Sequence, residues 1–169
     1  CNPTAVADAR AHAIVLSLGQ HAWPLGSGRA LTPDDVPAAF QRAARRFDAP
    51  LPARVRWVGA VEGGSLLRAD ADFLTRLFSV GVRVVGLGHT HHDQFVGPPG
   101  DLEIPGPSEV DDTSRLTERG KRLVRLLRDS RLQVDLAHLG RAAFDDVVSI
   151  LGDQAPLLVS HTAARALCD

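Results

Sequence analysis

The sequence contains no methionine, and its only two cysteines, Cys1 and Cys168, lie at opposite ends of 169 residues. Without an initiator, either a leader has been removed or the stretch belongs to a longer chain. No CxxC pair occurs, which excludes a thiolate zinc site, and a Cys1–Cys168 disulfide cannot be read from spacing. No apolar run approaches the roughly 20 residues of a membrane span. An N-terminal Cys can be the lipid-modified residue of a bacterial lipoprotein. Two compartments therefore stay open, a bacterial-type cytoplasm and a lipid-anchored cell envelope, with membrane contact only if Cys1 is lipidated. The formal net charge is -1 and no basic run is interleaved with aromatics, so nucleic acid is not an expected partner. The first strand–helix turn carries no GxGxxG, which removes the main sign of dinucleotide binding. No GxSxG elbow is present either.

What is there is an ordinary globular composition, 44% hydrophobic and 23% charged, enough for one domain with a core. His12 to Leu18 is the first strand candidate. Thr32-Pro33-Asp34-Asp35 reads as a helix start, with an N-cap Thr, Pro at the first helical position and acids in the first turn. Val36, Ala39, Phe40 and Ala43 then share one helical face, and Asp48-Ala-Pro50 stops it. Arg54 to Val61 is the second strand, ending in Glu62-Gly63-Gly64. A helix from about Ala69 to Val80 and a third strand, Val82 to Leu87, lead to Gly88-His89-Thr-His91-His92-Asp93. Residues 94–115 read as a long loop with several prolines, of a length often found in lids and binding loops. Thr117 is a candidate cap for a helix whose core face is Leu123, Val124, Leu126 and Leu127. A strand ending at His138, a helix from about Arg141 to Leu151, a strand ending at His161 and the start of a further helix complete the chain. Strict alternation of near-continuous apolar strands with helices means a parallel sheet covered by helices. Five such strands fit an open doubly wound sheet or part of a (β/α)8 barrel.

Four strands end in a residue suited to metal or acid–base work: Glu62, His89, His138 and His161. In a barrel all C-terminal strand ends face one mouth, where active sites lie. His138 and His161 fall in consecutive units, which places their imidazoles side by side at one sheet edge. Each residue has a bland alternative: Glu62 as the cap of the Gly63-Gly64 turn, the histidines as polar residues that end strands. Together, one carboxylate with imidazoles and no thiolate suits Zn²⁺ or a similar divalent ion in an open catalytic site. Asp135, just before His138, fits either a partner that orients a ligand or a buried structural hydrogen bond. His91 and His92 are adjacent and point apart in an extended loop, so they do not fit a shared ion. His12 opens its strand, the wrong end, and His21 lies in a loop. Ser160 beside His161 leaves a Ser-His-Asp arrangement as the weaker hydrolytic option.

At these residues the chain resembles the membrane (renal) dipeptidase family, peptidase family M19. The matching stretches are Val58-Gly-Ala-Val-Glu62-Gly-Gly, Gly81-Val-Arg-Val-Val-Gly-Leu-Gly-His89, Leu116-Thr117-Glu-Arg-Gly120-Lys, Val134-Asp-Leu-Ala-His138 and Ala155-Pro-Leu-Leu-Val-Ser-His161-Thr-Ala-Ala-Arg. They stand in the family's order and cover roughly residues 55–169. The resemblance implies a metal-dependent hydrolase (β/α)8 TIM-type barrel with a two-zinc site. It implies Glu62 as the bridge between two metals and His138 and His161 as ligands of one of them. His89 would contact the substrate and help hold the tetrahedral intermediate, and a metal-bridging hydroxide would attack a dipeptide or similar small amide. The family's first strand carries a His-x-Asp pair that completes the other metal position, and nothing before residue 12 matches it. The chain, taken as a single domain over 1–169, therefore looks like the central part of such a barrel, from its second strand to just past its fifth. An open piece of that kind leaves unpaired edges and an uncovered inner face, so low stability or homo-oligomerisation is expected. The alternatives are a catalytically incomplete barrel relative serving as a binding module, and a related amidohydrolase acting on other amides or lactones.

Overall fold

The computed structural model describes residues 13–19, 32–46, 56–89, 91–98, 110–153 and 155–161. Cys1, Cys168, His12, His21, the stop at Asp48–Pro50, the middle of the long loop and the helix expected after His161 lie outside them.

Four parallel strands form the sheet: β1 (Ala13–Gly19), β2 (Arg56–Glu62), β3 (Val82–Gly86) and β6 (Gln133–Asp135), in the order β1-β2-β3-β6. Between them lie helices α1 (Val36–Arg46), α2 (Ala71–Ser79), α3 (Glu118–Asp129) and, after β6, α4 (Arg141–Leu151). Sequence neighbours are sheet neighbours throughout, as in a barrel wall. The fifth strand is represented by one parallel bridge, Asp135 to Leu158, reinforced by Leu136 N donating to Leu158 O at 2.9 Å. Among the described residues no helix is long and apolar enough to cross a membrane.

Local chemistry explains the helix starts. Asp35 Oδ2 accepts from the Thr32 amide at 2.9 Å and from its hydroxyl at 2.7 Å, and a 3-10 turn over Pro33–Asp35 runs straight into α1. Asp70 caps α2 by accepting from Phe73 N at 2.7 Å, two residues later than the expected start. Thr117 caps α3 as expected, accepting from Gly120 N at 3.1 Å.

The register sorts the two sheet faces. Val61, Val85 and Val134 stand abreast and are 1%, 0% and 2% exposed, buried with Phe73, Leu74, Leu77, Leu123, Val124 and Leu127 of the helices. Burying a side chain of this size stabilises by about 1.5–3 kcal/mol, so this helix-covered layer is the main source of cohesion. The next row, Glu62, Gly86 and Asp135, points to the other face.

Two expectations need correction. The strand before His138 stops at Asp135, and His138 sits in the turn beyond it with φ +64°. The stretch 94–115 is not loop throughout: β4 (Val96–Gly97) and β5 (Arg115–Leu116) pair antiparallel and close its base. Two residues per strand are too short to leave a periodic signal.

Candidate metal centre

Glu62, Gly86, Asp135 and Leu158 lie in register across the strand ends. Each of the last three is followed, three residues later, by a histidine: His89, His138 and His161. Equal excursions from one register row bring all three imidazoles back over Glu62. The turn after Glu62 depends on glycine. Gly63 has φ +104°, where a side chain is strained. A Cβ on Gly64 would lie 2.2 Å from Asp93 Oδ2 and 2.5 Å from Leu87 O.

The polar atoms converge on Glu62 Oε1. His138 Nε2 lies 2.9 Å from it, His161 Nε2 3.6 Å and His89 Nε2 3.9 Å. His138 Nε2 and His161 Nε2 are 2.8 Å apart, and their rings meet edge-on with centroids at 4.7 Å. The His89 ring lies 4.4 Å from that of His138. Glu62, His89 and His138 form a group whose ligand atoms all lie within 4.8 Å of one another and could hold a metal ion, with His161 on its rim. The donor set fits such an ion. Two ligands bound tetrahedrally at 2.0–2.1 Å stand about 3.3 Å apart, in the middle of the separations found here. The side chains of Glu62, His89 and His138 are 28%, 24% and 23% exposed and that of His161 is 55% exposed, so the cluster opens to solvent on the His161 side.

A second layer surrounds it. Asp135, 7% exposed, accepts from Ala137 N at 3.1 Å and Ser160 N at 3.0 Å through Oδ1, and from the Ser160 hydroxyl through Oδ2. Ser160 Oγ also lies 2.8 Å from His161 Nδ1. The serine thus stands between acid and imidazole, whereas a nucleophilic triad has the imidazole in the middle. The Ser-His-Asp option is not built here. His92 is turned away from the cluster, its Nε2 2.7 Å from Ser114 Oγ, a contact that joins the two ends of the long loop. Asp93 Oδ1 accepts from Phe95 N at 2.7 Å and Val96 N at 3.0 Å, while its buried Oδ2 lies against Gly64 with no well-formed hydrogen bond among the described residues. Burial pushes the Asp93 carboxyl up to about 6, against the lowering effect of those amides. The sequence reading gave Asp93 no role of its own and Ser160 only that of the Ser-His-Asp option. An acid two residues before an aromatic and a serine before a histidine are too common to single out.

A parallel wall with a carboxylate and three imidazoles over its strand ends defines the metal-dependent hydrolase type of barrel. The particular family follows from comparison. Residues 42–169 match the family described as membrane dipeptidase (peptidase family M19), and the chain belongs to that family. Dipeptidase aclJ of Aspergillus oryzae is 29% identical over 117 residues, covering 69% of this chain and 26% of that protein. The structure of a metallopeptidase from Rhodobacter sphaeroides, liganded with a phosphinate mimic of the dipeptide L-Ala-D-Ala, is similar at 28% identity and a TM-score of 0.54, covering 94% of this chain and 37% of that one. A dipeptidase of family M19 shares the fold with a TM-score of 0.67 at 24% identity, covering 98% of this chain and 54% of that one. The chain spans about a fifth to a third of the length of the curated relatives it matches.

Proposed function

We propose that this chain supplies the metal-binding side of a zinc-dependent dipeptidase active site, and that the protein carrying it hydrolyses dipeptides. The observation that carries the reading is the convergence of three imidazole nitrogens, at 2.9, 3.6 and 3.9 Å, on one carboxylate oxygen at the rim of a parallel sheet. The family membership and the dipeptide mimic bound by the Rhodobacter relative support the choice of substrate class. We read residues 1–169 as one unit, the central part of the barrel.

Nitrogen and carboxylate donors without thiolate suit Zn²⁺ among the divalent ions. His138 and His161 would hold one ion through Nε2. Glu62, with two carboxylate oxygens, can serve that ion and a second one. When bound, such ions supply Lewis acidity and lower the pKa of a coordinated water. The residues of the chain do the rest. Glu62 concentrates negative charge where cations would be held. His89, the imidazole farthest from Glu62 Oε1 at 3.9 Å, would donate a hydrogen bond to the substrate carbonyl oxygen as charge develops on it. The solvent-open His161 side gives a small, extended substrate a way in.

Metal analysis of the purified protein, with hydrolysis of dipeptides and of lactones measured side by side, tests this. Bound zinc is expected in this chain with weak or no turnover, and turnover of dipeptides alone in the whole protein that carries it, both lost in Glu62→Ala, His138→Ala and His161→Ala. Turnover of lactones alone would replace the substrate class, and metal at background would remove the site.

A further inference from the structure

We propose that Asp135 is the positioning residue for both histidines of the site, acting on His161 through the Ser160 hydroxyl and on His138 through the turn that carries it. The inference rests on reading the cluster as a metal site, but the tautomer it assigns does not.

The proton count fixes the direction of the chain. A carboxylate only accepts, and a serine hydroxyl has one proton to give. Ser160 Oγ–H points to Asp135 Oδ2, so the Ser160 oxygen is left as the acceptor facing His161 Nδ1 at 2.8 Å. His161 must then carry its proton on Nδ1. Its Nε2 is left as a lone pair, 3.6 Å from Glu62 Oε1 and 2.8 Å from His138 Nε2, which supplies the N–H of that contact in the metal-free protein. This is the tautomer a cation needs and the minor one for free imidazole in water. A ligating histidine ordinarily passes its other N–H to a carboxylate or carbonyl directly. Here a serine is interposed, because Asp135 sits on the neighbouring strand, at the sheet position bridged to Leu158.

The other oxygen acts on the other ligand. Asp135 Oδ1 accepts from Ala137 N, closing a side-chain turn that leads directly into His138 at φ +64°. The same oxygen accepts from Ser160 N. One 7%-exposed carboxylate therefore ties the two histidine-bearing turns to each other. Neither turn contains a glycine, so the left-handed conformation of His138 depends on this contact rather than on a permissive residue.

The test uses the full chain labelled with 15N-histidine, the seven histidines being distinguished with His161→Ala as reference. Long-range 15N–1H spectra of the metal-free protein read the His161 tautomer, and titration with Zn²⁺ reads affinity. The expected result is Nδ1–H in the wild type. Ser160→Ala should shift His161 toward Nε2–H and weaken Zn²⁺ binding roughly 10–100-fold, with Ser160→Thr restoring both. Asp135→Asn should do the same to His161 and also displace the His138 resonances, with a larger loss of affinity. Because Ser160 is exposed, its alanine variant is informative even if the Asp135 variant folds poorly. Nε2–H at His161 in the wild type, or an unchanged tautomer in Ser160→Ala, would overturn the proposal. The assigned tautomer in a protein that binds no Zn²⁺ would uphold the chain of hydrogen bonds and sink the metal reading instead.

Discussion

His138 Nε2 lies 2.9 Å from Glu62 Oε1 although the two residues are 76 positions apart. Two further imidazoles approach the same oxygen, His161 at 3.6 Å and His89 at 3.9 Å. A cation placed among them would turn a costly set of lone pairs and charge into a satisfied one.

Glu62→Gln keeps the size and removes the charge. Binding of Zn²⁺ should weaken by more than about 100-fold, beyond the usual loss for an outer-shell partner. Calorimetric titration measures this, and an unchanged circular dichroism spectrum would show that the loss is local.

At His138 backbone and side chain make separate demands. The left-handed φ favours glycine, while the site needs the imidazole. His138→Gly should therefore be more stable than His138→Ala by about 1 kcal/mol, with both failing to bind metal tightly. Urea midpoints of the two variants decide it, and equal midpoints would remove the strain.

Gly64→Ala drives a methyl group to 2.2 Å from Asp93 Oδ2 and 2.5 Å from Leu87 O. The second contact is backbone and cannot swing aside. A destabilisation of about 2 kcal/mol or more is expected, together with weaker metal binding, since the same turn carries Glu62. Thermal melts and Zn²⁺ titration of the variant provide the check.

The pH dependence of Asp93 has a definite sign. Its carboxyl is raised from 3.8 to about 6 by burial, so the folded state holds a proton that the unfolded state has lost over that range. Its contribution is fully present below about 4 and is lost as pH rises through about 6. Asp93→Asn, which does not ionise, should gain on the wild type by on the order of 2 kcal/mol between pH 4 and 7, allowing for the water that reaches the side chain. Denaturant titrations of both proteins at several pH values read the difference, and parallel curves would contradict it.

Most of the architecture was legible because its signals are local. Thr32 with Asp35, and Thr117 with Gly120, cap helices through contacts three residues long. The apolar runs that contain β2, β3 and β6 are closed by Glu62, His89 and His138, although the last two strands themselves stop three residues earlier. What stayed hidden is non-local or conformational. The contact of Asp135 with Ser160 joins residues 25 positions apart through a sheet bridge that no periodicity records. The left-handed φ of His138 falls on a Leu-Ala-His sequence without glycine or asparagine, so no turn residue announces it. The cap of α2, Asp70, lies within the helix span expected from the sequence, because Ala69 continues the helix-compatible pattern on its N-terminal side. The β4–β5 ladder forms from four residues held by the Asp93, Thr117 and Asp146 contacts rather than by strand propensity.

The common three-residue offset between the register row and His89, His138 and His161 makes the site a matter of length as much as of composition. One inserted residue in any of these turns would move its imidazole by up to about 3.5 Å, a displacement comparable to the separations of 2.8 to 3.9 Å between donors at the centre. Substitutions within these turns should therefore be tolerated better than changes in their length. Single deletions there should be as damaging as loss of the histidine itself.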